Sequence, residues 1–179
     1  MKIVEERPLC DALNAMRDGI RSMGTRIDNF STDDVVLLRT LLMVAPVLLA
    51  GFDQEVRRMS ALGETEFRTL CILFSQEDGS ATPSELCSCD THGRANMTRI
   101  GDVLVAQGLV TRSTAVEDRR RVVLRITAKG RKLVENLVPR LRPGLSAVLG
   151  NISATRKRQL ADTLRVIAAN IDHWSQQSR

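Results

Sequence analysis

The sequence is poor in aromatic residues: its 179 residues include no tyrosine, one tryptophan and four phenylalanines. Hydrophobic residues still make up 43% of the chain, which is enough for a core built from leucine, valine, isoleucine, alanine and methionine. Residues of this kind, in long stretches without glycine or proline, favour helices. We therefore expect one compact, mainly helical domain.

Signals for catalysis are also scarce. The chain has only two histidines, His92 and His173, and it contains no G-x-S-x-G motif, no phosphate-cradling glycine loop and no distinctive pair of carboxylates. These absences disfavour an enzyme and give no reason to expect a cofactor.

The sequence also lacks an export signal and a long apolar span. The first residues, MKIVEERPL, are not followed by an apolar h-region. The most apolar run covers about twelve residues, 41–52, and contains Pro46, so it is too short to cross a bilayer. We expect a soluble cytoplasmic protein with no membrane contact, whose four cysteines are not in structural disulfides.

What the chain does contain is a local concentration of positive charge. Residues 91–132 include ten lysines and arginines against three acidic residues, a local net charge of +7. Since the whole chain carries +5, the remainder sums to −2. A basic surplus confined to one segment is typical of a surface that contacts phosphates.

The same segment has the hydrophobic pattern of a helix followed by a hairpin. Apolar residues recur at steps of three and four, at Met97, Ile100, Val103 and Leu104. Gly108 would end this helix as a C-cap. Residues 109–112 and the β-branched run 122–126 would form two strands joined by an arginine-rich loop. Thr127 then caps another helix.

A helix with polar residues on its open edge, followed by a charged hairpin, is the arrangement of a winged helix-turn-helix. The segment GLVTRSTAVEDRRRVVLRITAKGRKLVE resembles the wing and following helix of the MarR family of bacterial transcriptional regulators. The resemblance rests on Asp118 and Arg120 as a D-x-R element and on Thr127 and Gly130 at the helix start, and it extends more loosely over about 38–171. It implies a mainly α fold with a small two-stranded β wing, in which N- and C-terminal dimerisation helices accompany a winged helix-turn-helix domain.

Helical patterns precede this segment. An amphipathic helix is predicted for 8–23, and a longer one, capped at Ser31, for 33–59. The longer helix is apolar on most faces, so it needs cover from a partner subunit. Pro46 should kink it and could divide it into two pieces.

Further helices are predicted at 64–75, at 83–89 after the cap Thr82, from 127 to about 138, and at 154–175. Pro139 and Pro143 should bend or break the chain between the last two.

These patterns divide the chain by role. We predict an N-terminal arm or helix of the dimer interface over 1–30, dimerisation helices over 31–62 and 139–179, and the DNA-binding winged helix-turn-helix domain over 63–138.

Candidate DNA contacts follow from the match to the family motif. On the recognition helix they are Arg94, Asn96, Thr98 and Arg99. Arginine can bind guanine, and asparagine adenine, through paired hydrogen bonds in the major groove. In the wing, Arg120 is predicted to enter the minor groove, oriented by Asp118, while Arg119 and Arg121 are phosphate contacts or solvated charges.

The cysteines leave an alternative open. Cys87, Cys89 and His92 form a C-x-C-x-x-H string of zinc-ligand types, but the spacing is not standard and no fourth ligand is near, so we predict structural thiols and no metal site. Cys10 lies near the N-terminus, as does the sensing cysteine of the hydroperoxide-responsive branch of the family, which relies on tyrosines that this chain lacks. Cys10, Cys87 and Cys89 are therefore the candidates for a redox- or metal-sensing regulator. Cys71 is assigned to packing.

The resemblance implies a repressor that binds a double-stranded, pseudo-palindromic DNA operator as a homodimer. It also implies a small aromatic or anionic effector that releases the DNA and is bound by the helices beginning near Asp33, Glu64 and Thr127. A nucleic-acid-binding architectural protein without an effector is the remaining alternative.

Overall fold

The computed structural model describes residues 8–88, 94–114 and 122–177, and it is mainly helical with a small antiparallel sheet. The helices are α1 (Leu9–Gly24), α2 (Thr32–Met59), α3 (Glu64–Ser75), α4 (Pro83–Ser88), α5 (Arg94–Ala106), α6 (Ala128–Leu149) and α7 (Ala154–Gln177). The strands are β1 (Ser80–Ala81), β2 (Val110–Thr114) and β3 (Val122–Ile126). The chain divides into two compact units, 1–134 and 135–179.

The first unit has its core between the short helices and the sheet. Helix α3 contacts α5 and the strands β1 and β3, and α4 contacts α5 and β3. Met97, Ile100 and Leu104 of α5 are fully buried and Val103 is half-buried, so the apolar stripe predicted for this helix is confirmed. Burial of a side chain of this size contributes about 1.5–3 kcal/mol, and the stripe therefore fixes which face of α5 points outward.

The sheet has three strands in the order β1-β3-β2, so the prediction of two strands was incomplete. The hairpin itself is confirmed: Val110 pairs with Ile126 and Thr114 with Val122. Strand β1 was missed because two residues cannot show an alternating pattern, and its partner β3 lies far along the chain.

Local signals set most helix starts. At α4 the Thr82 hydroxyl accepts the Glu85 N–H at 3.3 Å while the Glu85 carboxylate accepts the Thr82 N–H at 2.7 Å, a reciprocal capping box. At α2 the cap differs in detail from the prediction, since the Ser31 hydroxyl binds the Asp34 carboxylate and makes no side-chain bond to the helix N–H groups. Gly108 adopts φ +68°, as its assignment as a C-cap requires.

The interior prolines do not divide their helices. Helix α2 continues through Pro46, and α6 continues through Pro139 and Pro143, so the expected breaks are wrong. Each proline removes one N–H donor, but the turns on both sides keep theirs, and 28 and 22 residues leave many turns to carry the helix onward.

Helix α2 exposes much of its apolar surface, although α1 packs against it and has one buried residue, Ile20. Large exposed side chains of α2 are Leu37, Leu38, Leu42, Val47, Leu48 and Leu49. By length and composition alone α2 could cross a membrane, so the expectation of an apolar run limited to residues 41–52 underestimated the apolar length of this helix. The core helices of soluble proteins meet the same criterion.

The second unit contains the end of α6 and all of α7. Within its described residues α7 buries no side chain, and Leu160, Leu164, Ile171 and Trp174 are exposed. The predicted helix at 154–175 is confirmed, with a C-terminus two residues later.

Candidate nucleic-acid interface

Helix α5 presents a polar edge opposite its buried stripe. Thr98 and Arg99 are exposed there and Asn96 is half-buried, while Arg94 is the first residue of the helix. Contacts with α3, α4 and β2 fix the helix from its buried side. A helix held in this way, with an exposed arginine and threonine and a half-buried asparagine on one edge, can approach base edges and phosphates together.

Arg99 is held by a carboxylate that the sequence analysis did not identify. Its Nη2 lies 3.3 Å from Oε1 of Glu66 on α3, and its Nε donates to Oδ1 of Asn96 at 3.2 Å. The Arg99 side chain is 60% exposed whereas the Glu66 side chain is only 10% exposed, so the largely buried carboxylate anchors the exposed guanidinium. Asn96 and Arg99 are thus hydrogen-bonded to each other, a link that was not predicted from the sequence.

The anchoring carboxylate is itself fixed at the start of α3. Oε2 of Glu66 accepts the Gly63 N–H at 3.1 Å. Next to it, Oδ1 of Asp53 on α2 accepts the Glu64 N–H at 2.8 Å. The hydrogen bond from Arg57 lowers the pKa of Asp53, and the bond from the Glu64 backbone lowers it further. These carboxylates satisfy N–H groups that a helix start leaves unpaired.

Two further ion pairs fix the base of the hairpin. Arg112 of β2 places Nη2 2.7 Å from Oδ1 of Asp102 on α5. Arg125 of β3 donates to the Asp78 carbonyl at 2.6 Å and pairs with its carboxylate at 3.1 Å. The pKa of Asp78 is lowered first by its hydrogen bonds with Ser80 and then by Arg125.

These pairs change the charge count made from the sequence. Glu66 and Asp78 lie outside residues 91–132, so adding them to the ten basic and three acidic residues of that segment reduces the local net charge from +7 to +5. The segment remains strongly basic, which preserves its attraction for phosphates.

The junction between hairpin and α6 is closely packed. The Thr127 hydroxyl lies 2.9 Å from the Gly108 carbonyl and 3.1 Å from that of Leu109, and it accepts the Gly130 N–H at 3.1 Å. The predicted cap at Thr127 is therefore confirmed. Lys129 adds a 2.7 Å bond from its Nζ to the Gln107 carbonyl.

Several predicted site residues lie outside the described residues. These are Asp118, Arg119, Arg120 and Arg121 of the wing, together with Cys89 and His92. Their assignments remain predictions from the sequence.

The other cysteines are free thiols in different surroundings. Cys10 is exposed, while Cys71 and Cys87 are half-buried. Burial, with a smaller effect from Glu64, raises the pKa of the Cys71 thiol to about 11, as its assignment to packing requires. Within the ranges that the structure describes, no three histidine, cysteine or acidic side chains are grouped as metal ligands.

Comparison with known proteins supports the assignment of a DNA-binding fold. Residues 62–122 match the family model described as MarR family. The chain is 29% identical over 157 residues to the transcriptional repressor MprA of Escherichia coli K12, covering 88% of this chain and 89% of MprA.

Solved structures share the fold. Sco3205 of Streptomyces coelicolor, a MarR family transcriptional regulator in complex with DNA, has a TM-score of 0.73 at 17% identity, over 79% of this chain and 89% of that one. BpsR of Bordetella bronchiseptica, described with the regulation of its DNA binding by 6-hydroxynicotinic acid, has a TM-score of 0.63 at 25% identity, over 74% and 90%. The chain thus matches the MarR family of DNA-binding transcriptional regulators through residues 62–122 and resembles its members over most of its length.

Proposed function

We propose that this DNA-binding regulator is a repressor that recognises a pseudo-palindromic operator as a homodimer and is released by a small aromatic or anionic effector. The observation that carries the proposal is the outward edge of α5, where Asn96, Thr98 and Arg99 lie together above a fully buried stripe. MprA, which is similar to this chain over most of the length of both proteins, is a transcriptional repressor, and this supports repression over activation.

In this proposal residues 63–138 form the DNA-binding domain. Arg94 would extend the reading edge of α5, Arg120 of the wing would enter the minor groove, and Asp118 would orient it. Arg119 and Arg121 would neutralise phosphates of the DNA backbone on either side of Arg120.

A second copy of the chain would cover the apolar surfaces of α2 and α7. Exposed leucines along α2 and an α7 with no buried residue among those described are typical of helices that pack in a subunit interface. The segments 1–30, 31–62 and 139–179 would then form the dimer interface, in a protein that works on DNA in the cytoplasm.

Effector release requires only a difference in affinity between two dimer geometries. A ligand that prefers the geometry unable to match the operator shifts the equilibrium, and a preference of about 5.5 kcal/mol moves it from 1:99 to 99:1. The regulation of BpsR by 6-hydroxynicotinic acid supports an aromatic acid as the chemical class.

Footprinting of the purified protein on the DNA upstream of its own gene tests the proposal. Reactions would contain reductant, peroxide or a panel of aromatic acids, with an unrelated DNA fragment as the control. We expect protection of an inverted repeat that is lost with one of the aromatic acids. Loss with peroxide alone would instead support the cysteine-based redox regulator, and no protection in any reaction would contradict an operator in this region.

A further inference from the structure

The contact between Glu66 and Arg99 has a geometry that can hold the Arg99 side chain in position to contact a DNA base. We propose that Glu66 is a positioning residue, which holds one edge of the Arg99 guanidinium so that its other edge reads a base of the operator. This inference rests on the proposed function, because it assumes that α5 enters the major groove.

The support is rigid on the Glu66 side. Its carboxylate is largely buried and is tied by Oε2 to the Gly63 N–H at 3.1 Å, so Oε1 is fixed where it meets Arg99. It lies on α3, a neighbouring helix that contacts α5, and not on the reading helix itself. A partner on a second element restrains Arg99 more strongly than a neighbour on its own helix would.

The two described bonds use only one side of the guanidinium. Arginine has five N–H donors, and the contacts to Asn96 and Glu66 engage Nε and one hydrogen of Nη2. The remaining donors on Nη1 and Nη2 form the terminal fork, which matches O6 and N7 of guanine. Glu66 thus constrains the side that does not read and leaves the reading fork presented on the exposed side.

The pair also affects non-specific binding. An unpaired arginine attracts any phosphate, and this attraction carries no sequence information. A carboxylate 3.3 Å from Arg99 offsets its charge but not its hydrogen-bonding geometry. Glu66 should therefore lower affinity for random DNA while it preserves affinity for the correct base pair, which increases discrimination.

The variant Glu66→Gln separates this role from the structural one. A glutamine at this position keeps one carbonyl oxygen for the Gly63 N–H, as in other capping boxes, and its amide NH2 cannot accept a bond from Arg99. Glu77→Gln is the matched control, because it removes the same charge from an exposed side chain in the turn after α3, outside both the reading helix and the proposed dimer interface. Thermal unfolding of each variant establishes that the fold is retained.

The measurement is binding to the operator, to operators with single base-pair changes, and to random DNA. Arg99→Ala first identifies the base pair that Arg99 reads, where discrimination should fall by about 5- to 150-fold. At that base pair we expect Glu66→Gln to reduce discrimination by about three- to tenfold, and to have no further effect in the Arg99→Ala background. Glu77→Gln should match the wild type.

Other results would overturn the proposal in distinguishable ways. The positioning role would be wrong if Glu66→Gln left discrimination at the wild-type level or improved it, or if it changed discrimination equally in the wild-type and Arg99→Ala backgrounds. The proposed function would stand in each of these cases. A wild-type protein that binds all DNA equally would overturn both.

Discussion

Gly130 lies so close to Leu109 that a β-carbon at position 130 would stand 2.3 Å from the Leu109 carbonyl oxygen. The same atom would meet Ile126 at 2.8 Å. The neighbour that would have to move is therefore backbone at the start of β2, where Leu109 also accepts the Thr127 N–H at 3.0 Å. The glycine of the Thr127–Gly130 helix start serves close packing between α6 and the hairpin.

We predict that Gly130→Ala destabilises the protein by about 1–3 kcal/mol, since the methyl group overpacks a backbone contact. Gly19→Ala is the control: among the described residues nothing lies within 4 Å of its added methyl on α1, so alanine should stabilise by about 0.5–1 kcal/mol. Denaturant unfolding at one protein concentration measures both. Equal effects of the two substitutions would contradict the packing argument.

Asp53→Ala should weaken the fold by about 1 kcal/mol at neutral pH, because the Glu64 N–H at the start of α3 loses its acceptor. The folded protein lowers the pKa of this carboxyl, so its contribution is present above the ordinary value of 3.8 and is lost as the pH falls below it. The difference between variant and wild type in denaturant unfolding should therefore shrink in acid. Asp53→Asn keeps an acceptor oxygen, so its free energy of unfolding at pH 7 should fall less than that of Asp53→Ala.

Cys71 should resist modification. With a pKa of about 11, roughly one thiol in a thousand is ionised at pH 8, and the rate of alkylation should rise about tenfold per pH unit up to that value. Exposed Cys10 should react before Cys71. Mass spectrometry of iodoacetamide-treated protein, with Cys10→Ser and Cys71→Ser as references, distinguishes the sites. Oxidation of Cys71 by peroxide as fast as Cys10 would show that burial does not protect it.

Asn96→Ala should relax sequence preference at one position in each half-site, with a loss of discrimination of about 1–3 kcal/mol. Because Asn96 accepts the Nε bond of Arg99, a smaller change is expected at the base pair that Arg99 reads. Selection of bound sequences from a randomised operator measures both. A uniform loss over all sequences would identify Asn96 as a phosphate contact instead.

Arg120→Ala should weaken operator binding by at least tenfold, while the protein stays folded, if this wing residue enters the minor groove. Lys132→Ala is the control, since it removes one exposed positive charge from α6, outside both the reading helix and the wing. Fluorescence anisotropy with a labelled operator at fixed salt compares them. Similar small effects would mean that Arg120 contributes charge alone.

The parts of this fold that were predictable are those with local causes. The buried stripe of α5, the turn at Gly108 and the cap at Thr127 each depend on residues within a few positions of one another, and the structure contains all three. The prolines misled the prediction because a proline's local cost does not decide whether a long helix continues.

The support of the candidate site was not predictable from spacing. Glu66 and Arg99 are 33 residues apart, and Asp78 and Arg125 are 47 apart, so no periodicity in the sequence connects them. The basic segment and its reading residues were therefore predictable, but the acidic partners of Arg99 and Arg125 were not, and the one acidic partner predicted, Asp118 for Arg120, came from the family motif. Such pairs arise only when the core brings α3 and the sheet against α5.

The leucine-rich surface of α2 has a consequence for the newly synthesised chain. Half-exposed leucines and valines on a helix that is already formed would adhere to any apolar surface they meet first, including another incomplete chain. The yield of soluble protein in a cell should therefore depend on the rate of synthesis relative to the rate at which the apolar surface of α2 is buried. It should also depend on chaperones that bind α2 before that burial. Slow synthesis of this protein would then give more soluble product per chain than rapid overproduction.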